Sequence, residues 1–245
     1  FKGALKDGSR LGVNISYILQ ERPQGLAHAV SCAREFVDDE PFMVYLGDNL
    51  LEQGVSKIVR DFQSNGPGAS LLLTEVADPT SFGVACLDGN RIVKLVEKPQ
   101  EPPSNLAVVG VYLFSPQIFE AIKEIEPSAR GELEITDAIQ RLIDHGVEVR
   151  PHLVEGWWKD VGRPEDMIDA NRLILEKIDN DVQSEIGSDS RIVGRVSIGE
   201  NVQIKNSEIR GPVVIADGAS IEDSFLGPFT SIGGDVRILE SEIEY

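Results

Sequence analysis

Residues 198–209 read IGENVQIKNSEI, and the pattern returns at 215–226 as IADGASIEDSFL and at 232–243 as IGGDVRILESEI. Ser207, Ser224 and Ser241 keep the same phase in the three copies, and Gly211-Pro212 and Gly227-Pro228 sit near the ends of the first two. Upstream the period is shorter: Ile186, Ile192, Ile198 and Ile204 recur every six residues. One aliphatic side chain per hexad cannot bury itself, but identical coils stacked on one another bury a continuous column. A plain β-sandwich is the competing reading, and three in-phase copies favour the left-handed parallel β-helix of hexapeptide-repeat proteins over residues 181–245. The repeats run to Tyr245 without a polar cap, so an open end is expected there, covered by further coils or by a neighbouring subunit.

Before this region the rhythm is different. NISYILQ (14–20) is β-branched and aromatic and predicts a strand, and GLAHAVSCAREFV (25–37) has helical spacing. FMVYLG (42–47) predicts a strand covered on both faces, because nothing polar alternates along it. VSKIVRDFQSNG (55–66) predicts an amphipathic helix ending at Gly66, and ASLLLTEV (69–76) another buried strand. This βαβαβ order is that of a parallel sheet with crossover helices. Strands are also predicted at 91–99 and 106–114, and helices in PQIFEAIKEI, at 135–146 and at 164–178. Residues 1–180 therefore form an α/β domain ahead of the β-helix.

The chain has 245 residues and a formal net charge of −18, from 41 acidic against 23 basic side chains. Nucleic acid and anionic membranes need basic surfaces, so neither is an expected partner. No apolar run approaches the ~20 residues of a membrane-spanning helix, and no stretch reads as a signal peptide, so none is expected. The two cysteines, Cys32 and Cys86, lie in apolar stretches without metal-ligand spacing. A reducing, cytoplasmic setting fits.

Ligands of open α/β sheets bind beyond the carboxyl ends of the strands, and several polar clusters fall at such ends. Asp48 closes PFMVYLGDN. A carboxylate there suits Mg²⁺, which takes oxygen ligands and often only one or two carboxylates, or it caps a following helix. Asp160, in EGWWKDVGRPED, is a second ligand or a turn aspartate. Lys98, in LVEKP, is a point charge for phosphate or a solvated lysine. In ARGELEITD (129–137), Thr136 or Asp137 is expected to cap a helix, which leaves Glu132 to meet a polyhydroxylated ligand. Gln20 ends a predicted strand; its amide both donates and accepts, matching the O4 and N3–H edge of thymine or uracil. Gly25 opens a helix whose first N–H groups are free.

Taken in order, LQERPQGLAHA, YLGDN, FGVACLDGNRIVKLVEKP, NLAVVGVYLF, RGELEITDAI and WWKDVGRPED resemble the sugar-1-phosphate nucleotidyltransferases over essentially the whole chain. The nearest resemblance is to the glucose-1-phosphate thymidylyltransferase group in its long form with a hexapeptide-repeat tail. The resemblance implies a Rossmann-like, glycosyltransferase-A-like mixed sheet. It also implies transfer of a nucleotidyl group from dTTP or UTP to glucose 1-phosphate or N-acetylglucosamine 1-phosphate, with release of pyrophosphate. Gln20 and Gly25 would read the base. Asp48 and Asp160 would hold one Mg²⁺. Gly83, Glu97, Val109 and Glu132 would contact the sugar, Lys98 its phosphate, and Tyr112 would line the pocket. Catalysis would rest on Asp48, Lys98 and Asp160.

One departure from the family pattern stands out. The glycine-rich loop followed by Thr-Arg-Leu has no counterpart after Phe1, so the first βαβ unit is expected to be absent. Exposed sheet edges and no transferase activity from this chain alone are the expected consequences. Two other functions compete: a non-catalytic assembly or regulatory subunit, and a bifunctional uridylyltransferase/acetyltransferase. The acetyltransferase needs a histidine in the coils, and His28, His145 and His152 all lie outside them. The β-helix is expected to mediate homo-oligomer contacts.

Overall fold

The computed structural model describes residues 1–244 and divides into two compact units, Phe1–Trp158 and the chain from Lys159 onward. In the first unit the strands are β1 (Phe42–Tyr45), β2 (Asn49–Leu51), β3 (Ala69–Glu75), β4 (Gly83–Asp88), β5 (Arg91–Glu97), β6 (Leu106–Phe114) and β7 (Val149–Leu153). The helices that matter here are α1 (Leu26–Cys32), α2 (Ser56–Asn65), α3 (Ile118–Lys123) and α4 (Ile135–Asp144).

The main sheet runs β5-β4-β6-β3-β7, with β1 also on β6. β3 and β7 are parallel, while β6 is antiparallel to β1, β3 and β4. The sheet is thus mixed, as the family resemblance implies, and not the purely parallel one that a βαβαβ order suggests. Period-two alternation splits its side chains between two layers. Leu71, Leu73, Val108, Tyr112 and Phe114 pack with α1, α3 and α4, whereas Leu72, Val109, Val111 and Leu113 pack with Ile58 and Phe62 of α2.

Two strand expectations need correction. Residues 14–20 form no strand, and Ile18 and Leu19 are exposed. Their β propensity has no ladder to join among the described residues, and propensity without a partner does not make a strand. β1 forms, but it is covered on one face only. Phe42 and Val44 pack toward the core, while Met43 and Tyr45 are exposed. Its sole sheet neighbour among the described residues is β6, so its other edge is unpaired among them.

The second unit contains helix α5 (Pro164–Leu175) and a three-sided parallel β-helix. Each interior column is an aliphatic ladder: Ile198–Ile215–Ile232, Ile204–Ile221–Ile238, and Ile192–Ile209–Leu226–Ile243. The corners need left-handed backbone, and they fall at Asn201, Gly218 and Asp235 and again at Asn206, Asp223 and Glu240, all with positive φ. Asn, Asp and Gly tolerate that conformation best. These hexad-built, three-sided coils agree with the expected left-handed β-helix. Asn171 of α5 donates to the Phe229 carbonyl at 2.8 Å and accepts from the Ser231 hydroxyl at 2.6 Å. The helix at 164–178, expected with the α/β domain, therefore clusters with the coils, although the change of sequence rhythm comes later. Tyr245, where an open end is expected, lies outside the described residues.

Candidate active site

Asp48 stands just past the end of β1 and is exposed. It caps no helix: the next element is β2, and α2 begins only at Ser56. Its carboxylate accepts from the Asn49 amide at 2.8 Å, and its other oxygen has no partner among the described residues. Asn49 is the anchor beneath it. Its side chain is buried, and its Oδ1 accepts from the Gly110 N–H at 3.1 Å and from the Trp158 indole N–H at 2.7 Å. A Cβ on Gly110 would stand 2.6 Å from the Asn49 amide nitrogen, so the residue facing this amide has to be glycine. A strand that packs on the core thus ends in an acid because the next side chain is the buried one.

Glu97 ends β5 opposite Gly83 of β4. It is half-buried and accepts from the Thr136 hydroxyl at 2.9 Å. Burial raises its pKa above the usual carboxylate range. The Thr136 bond, Lys98 and Arg130 oppose that rise, and the Glu134 charge adds to it. A Cβ on Gly83 would meet Thr136 Cγ2 at 2.7 Å, so Gly83 gives Thr136 room to reach Glu97. The expected capping by Thr136 or Asp137 is replaced: Glu134 is the N-cap of α4, without a side-chain cap bond, and the Thr136 hydroxyl serves Glu97. Lys98 follows, exposed and with positive φ, its N–H bonded to the Phe82 carbonyl.

Arg130 gathers the acids around it. It lies 2.6 Å from Glu132, 3.4 Å from the buried Glu134 and 3.9 Å from Glu97. The loop at Gly25 is tied to the same segment, since the Leu133 N–H donates to the Gln24 carbonyl at 2.8 Å and the Ala27 N–H to the Leu133 carbonyl at 3.0 Å. That second bond occupies one of the N–H groups expected to be free. Gly25 has φ +102°, and a Cβ there would meet the Leu133 carbonyl at 2.5 Å. Tyr112 is buried and stacks on Phe114, and burial, followed by the charges of Glu97 and Asp48, raises its phenol pKa. Both acids therefore bear on one buried ring. Val109 is wholly buried against the α2 layer, which leaves only its main chain for a ligand. Asp160, exposed at the end of the strand Trp158–Asp160, belongs to the second unit.

A family model described as Nucleotidyl transferase matches residues 1–177. The chain belongs to the nucleotidyl transferase family. It is 48% identical over 244 residues to a glucose-1-phosphate thymidylyltransferase of Streptomyces antibioticus, covering 99% of this chain and 68% of that protein. It is 50% identical over 244 residues to a low-salt glycan biosynthesis nucleotidyltransferase of Haloferax volcanii, covering 98% and 68%. Among solved structures it is similar to a UDP-glucose pyrophosphorylase complexed with UDP-glucose, with a TM-score of 0.62 at 28% identity over 72% of this chain and 73% of that one.

For a nucleotidyl transferase, the residues that sequence reasoning missed are supports: Asn49, Gly110, Trp158, Thr136 and Arg130. Asn49 sits inside the quoted YLGDN motif, but its partners are 61 and 109 residues away, so only the fold gives it a role. Among the described residues no group of three or more His, Cys, Asp or Glu side chains could hold a metal ion. The free oxygen of Asp48 does fit Mg²⁺, which keeps waters and phosphate oxygens beside one or two carboxylates. No helix among the described residues is long and apolar enough to cross a membrane.

Proposed function

We propose that this chain carries the substrate site of a glucose-1-phosphate thymidylyltransferase-like enzyme, which joins a pyrimidine nucleoside triphosphate to a sugar 1-phosphate. One observation carries the reading: Gln20 donates to the Gly25 carbonyl, the loop at Gly25 is bonded to Leu133 beside Glu132, and Arg130 joins Glu132 to Glu97, so the residues proposed for base and sugar lie along one rim. A nucleotide sugar is a long polar ligand with a base at one end and hydroxyls at the other, and such a rim suits it.

In this reading Gln20 and the Gly25 backbone take the base, and Glu97, Glu132, Gly83 and the main chain of Val109 take the sugar. The Lys98 ammonium draws the sugar phosphate in and holds its attacking oxygen in line with the nucleotide α-phosphorus. Pyrophosphate leaves on the opposite side. Alignment and charge neutralisation supply the rate, with no covalent enzyme intermediate. Asp48 is the carboxylate proposed for Mg²⁺, which when bound offsets charge on the phosphates.

The test is a titration of the chain with dTTP and with UTP, with and without Mg²⁺. Metal-dependent binding that Asp48→Asn weakens by about tenfold or more, the equivalent of one charge-assisted contact, is expected. Absence of metal-dependent binding to either nucleotide would sink the reading.

A further inference from the structure

The Gln20 carboxamide is held in a single orientation. Its Nε2 donates to the Gly25 carbonyl at 3.2 Å and also lies 2.9 Å from Nδ1 of His28. A carbonyl only accepts, so the atom facing Gly25 is the amide nitrogen, and the flipped amide would set two oxygens against each other. With one N–H on Gly25, the second points at Nδ1, which must then carry a lone pair. The imidazole proton is accordingly on Nε2, which faces the sulfur of Cys32 at 4.0 Å. Both amide hydrogens are now used. Gln20 Oε1 has no partner among the described residues, so toward a ligand this amide can only accept.

We propose that His28 is a positioning residue for base selectivity: by taking the second amide hydrogen of Gln20, it turns a side chain that could read any base edge into an obligate acceptor. The inference rests on the reading above, in which Gln20 faces the base. Thymine and uracil present N3–H at that edge and satisfy Oε1. Cytosine presents a bare N3, and two acceptors then oppose each other. Sites that pair buried polar groups with one analogue reject the other because the groups are left unpaired. His28 touches no part of the ligand in this scheme. It acts through Gln20, one helical turn into α1, where the helix fixes its ring relative to the Gly25 carbonyl.

The experiment measures UTP and CTP affinity by calorimetric titration with Mg²⁺ for the unaltered chain, Gln20→Ala, His28→Leu and His28→Asn. His28→Leu frees the amide to rotate, and the UTP-over-CTP preference is expected to fall about tenfold, the worth of one hydrogen bond. His28→Asn keeps an acceptor near the Nδ1 position and should retain the preference to within about threefold. A merely structural histidine would give equal losses for both nucleotides and no rescue. If UTP binds, Gln20→Ala weakens it and His28→Leu leaves the preference unchanged, the role of His28 is refuted while the base-reading role of Gln20 stands. If Gln20→Ala leaves UTP affinity untouched, the underlying reading fails and takes this inference with it.

Discussion

Glu97 is half-buried beside Glu134, with Thr136 and Arg130 as its compensation. Its pKa is raised in the fold, so the folded state holds this proton more tightly than the unfolded chain does. Stability then declines as pH rises from the ordinary carboxylate value through the raised one. Glu97→Gln should therefore raise Tm at pH 7 and leave it unchanged near pH 4, where both forms are neutral. Calorimetric scans of the ligand-free protein across that range read this directly, and a lower Tm for the variant at pH 7 would show that the Arg130 pairing outweighs burial. The same substitution should weaken sugar-phosphate binding, which would mark an acid kept in the fold at a cost to stability. Asn49 is a different case, because its amide satisfies groups that have no other partner. Asn49→Ala strands the Gly110 N–H and the Trp158 indole, and a loss of about 3 kcal/mol in urea unfolding is expected. Trp157 and Trp158 are the only tryptophans, so an altered emission spectrum of the folded variant would place the damage beside Asp48.

The serine phase of the repeats has its explanation in the corners of the β-helix. Each hydroxyl donates to a carbonyl two residues back in its own coil: Ser207 to Lys205, Ser224 to Glu222 and Ser241 to Leu239, all at 2.7 Å. The first two also accept the serine N–H of the next coil, Ser224 on Ser207 at 3.0 Å and Ser241 on Ser224 at 3.1 Å. The ladder supplies the hydrogen bonds that the strands interrupt at a corner. Ser224→Ala breaks a donor and an acceptor link at once, and a loss of about 1–2 kcal/mol in denaturant unfolding is expected. A change below about 0.3 kcal/mol would mean that water replaces the hydroxyl without cost. This element was legible because each coil repeats its chemistry in sequence. So was β6, eight of whose nine residues are buried. Residues 14–20 were not, since a strand exists only with a partner, and partners are not local. The site divides in the same way. The candidates Gln20, Gly25, Glu97 and Glu132 were proposed from motif order, whereas the Thr136–Glu97 and Asn49–Trp158 bonds join distant segments, and a local rule misread Thr136 as a cap.

At the scale of the whole molecule, 41 acids oppose 23 bases, and the two signs make opposite predictions about salt. Surface ion pairs such as Arg34–Asp39, Lys123–Glu120 and Arg172–Glu176 stabilise the fold, and screening weakens them. Each is exposed and worth roughly 0–1 kcal/mol, already diminished at ordinary ionic strength. The net charge of −18 acts the other way, because folding concentrates the excess carboxylates and raises their mutual repulsion. That repulsion sums over the excess of acids, among them the run Asp38-Asp39-Glu40, where Arg34 pairs with the Asp39 carboxylate alone. Repulsion should therefore win. Tm is expected to rise as KCl is increased from about 20 mM, where the Debye length is between two and three times its value at 0.15 M, to 0.5 M, where it is only a few ångströms. Calorimetry in KCl at pH 7 measures it, and repetition near pH 4, where protonation removes part of the excess charge, should flatten the dependence. A Tm that falls with KCl at pH 7 would mean that the exposed pairs, and not the excess of acids, set the electrostatic balance of this fold.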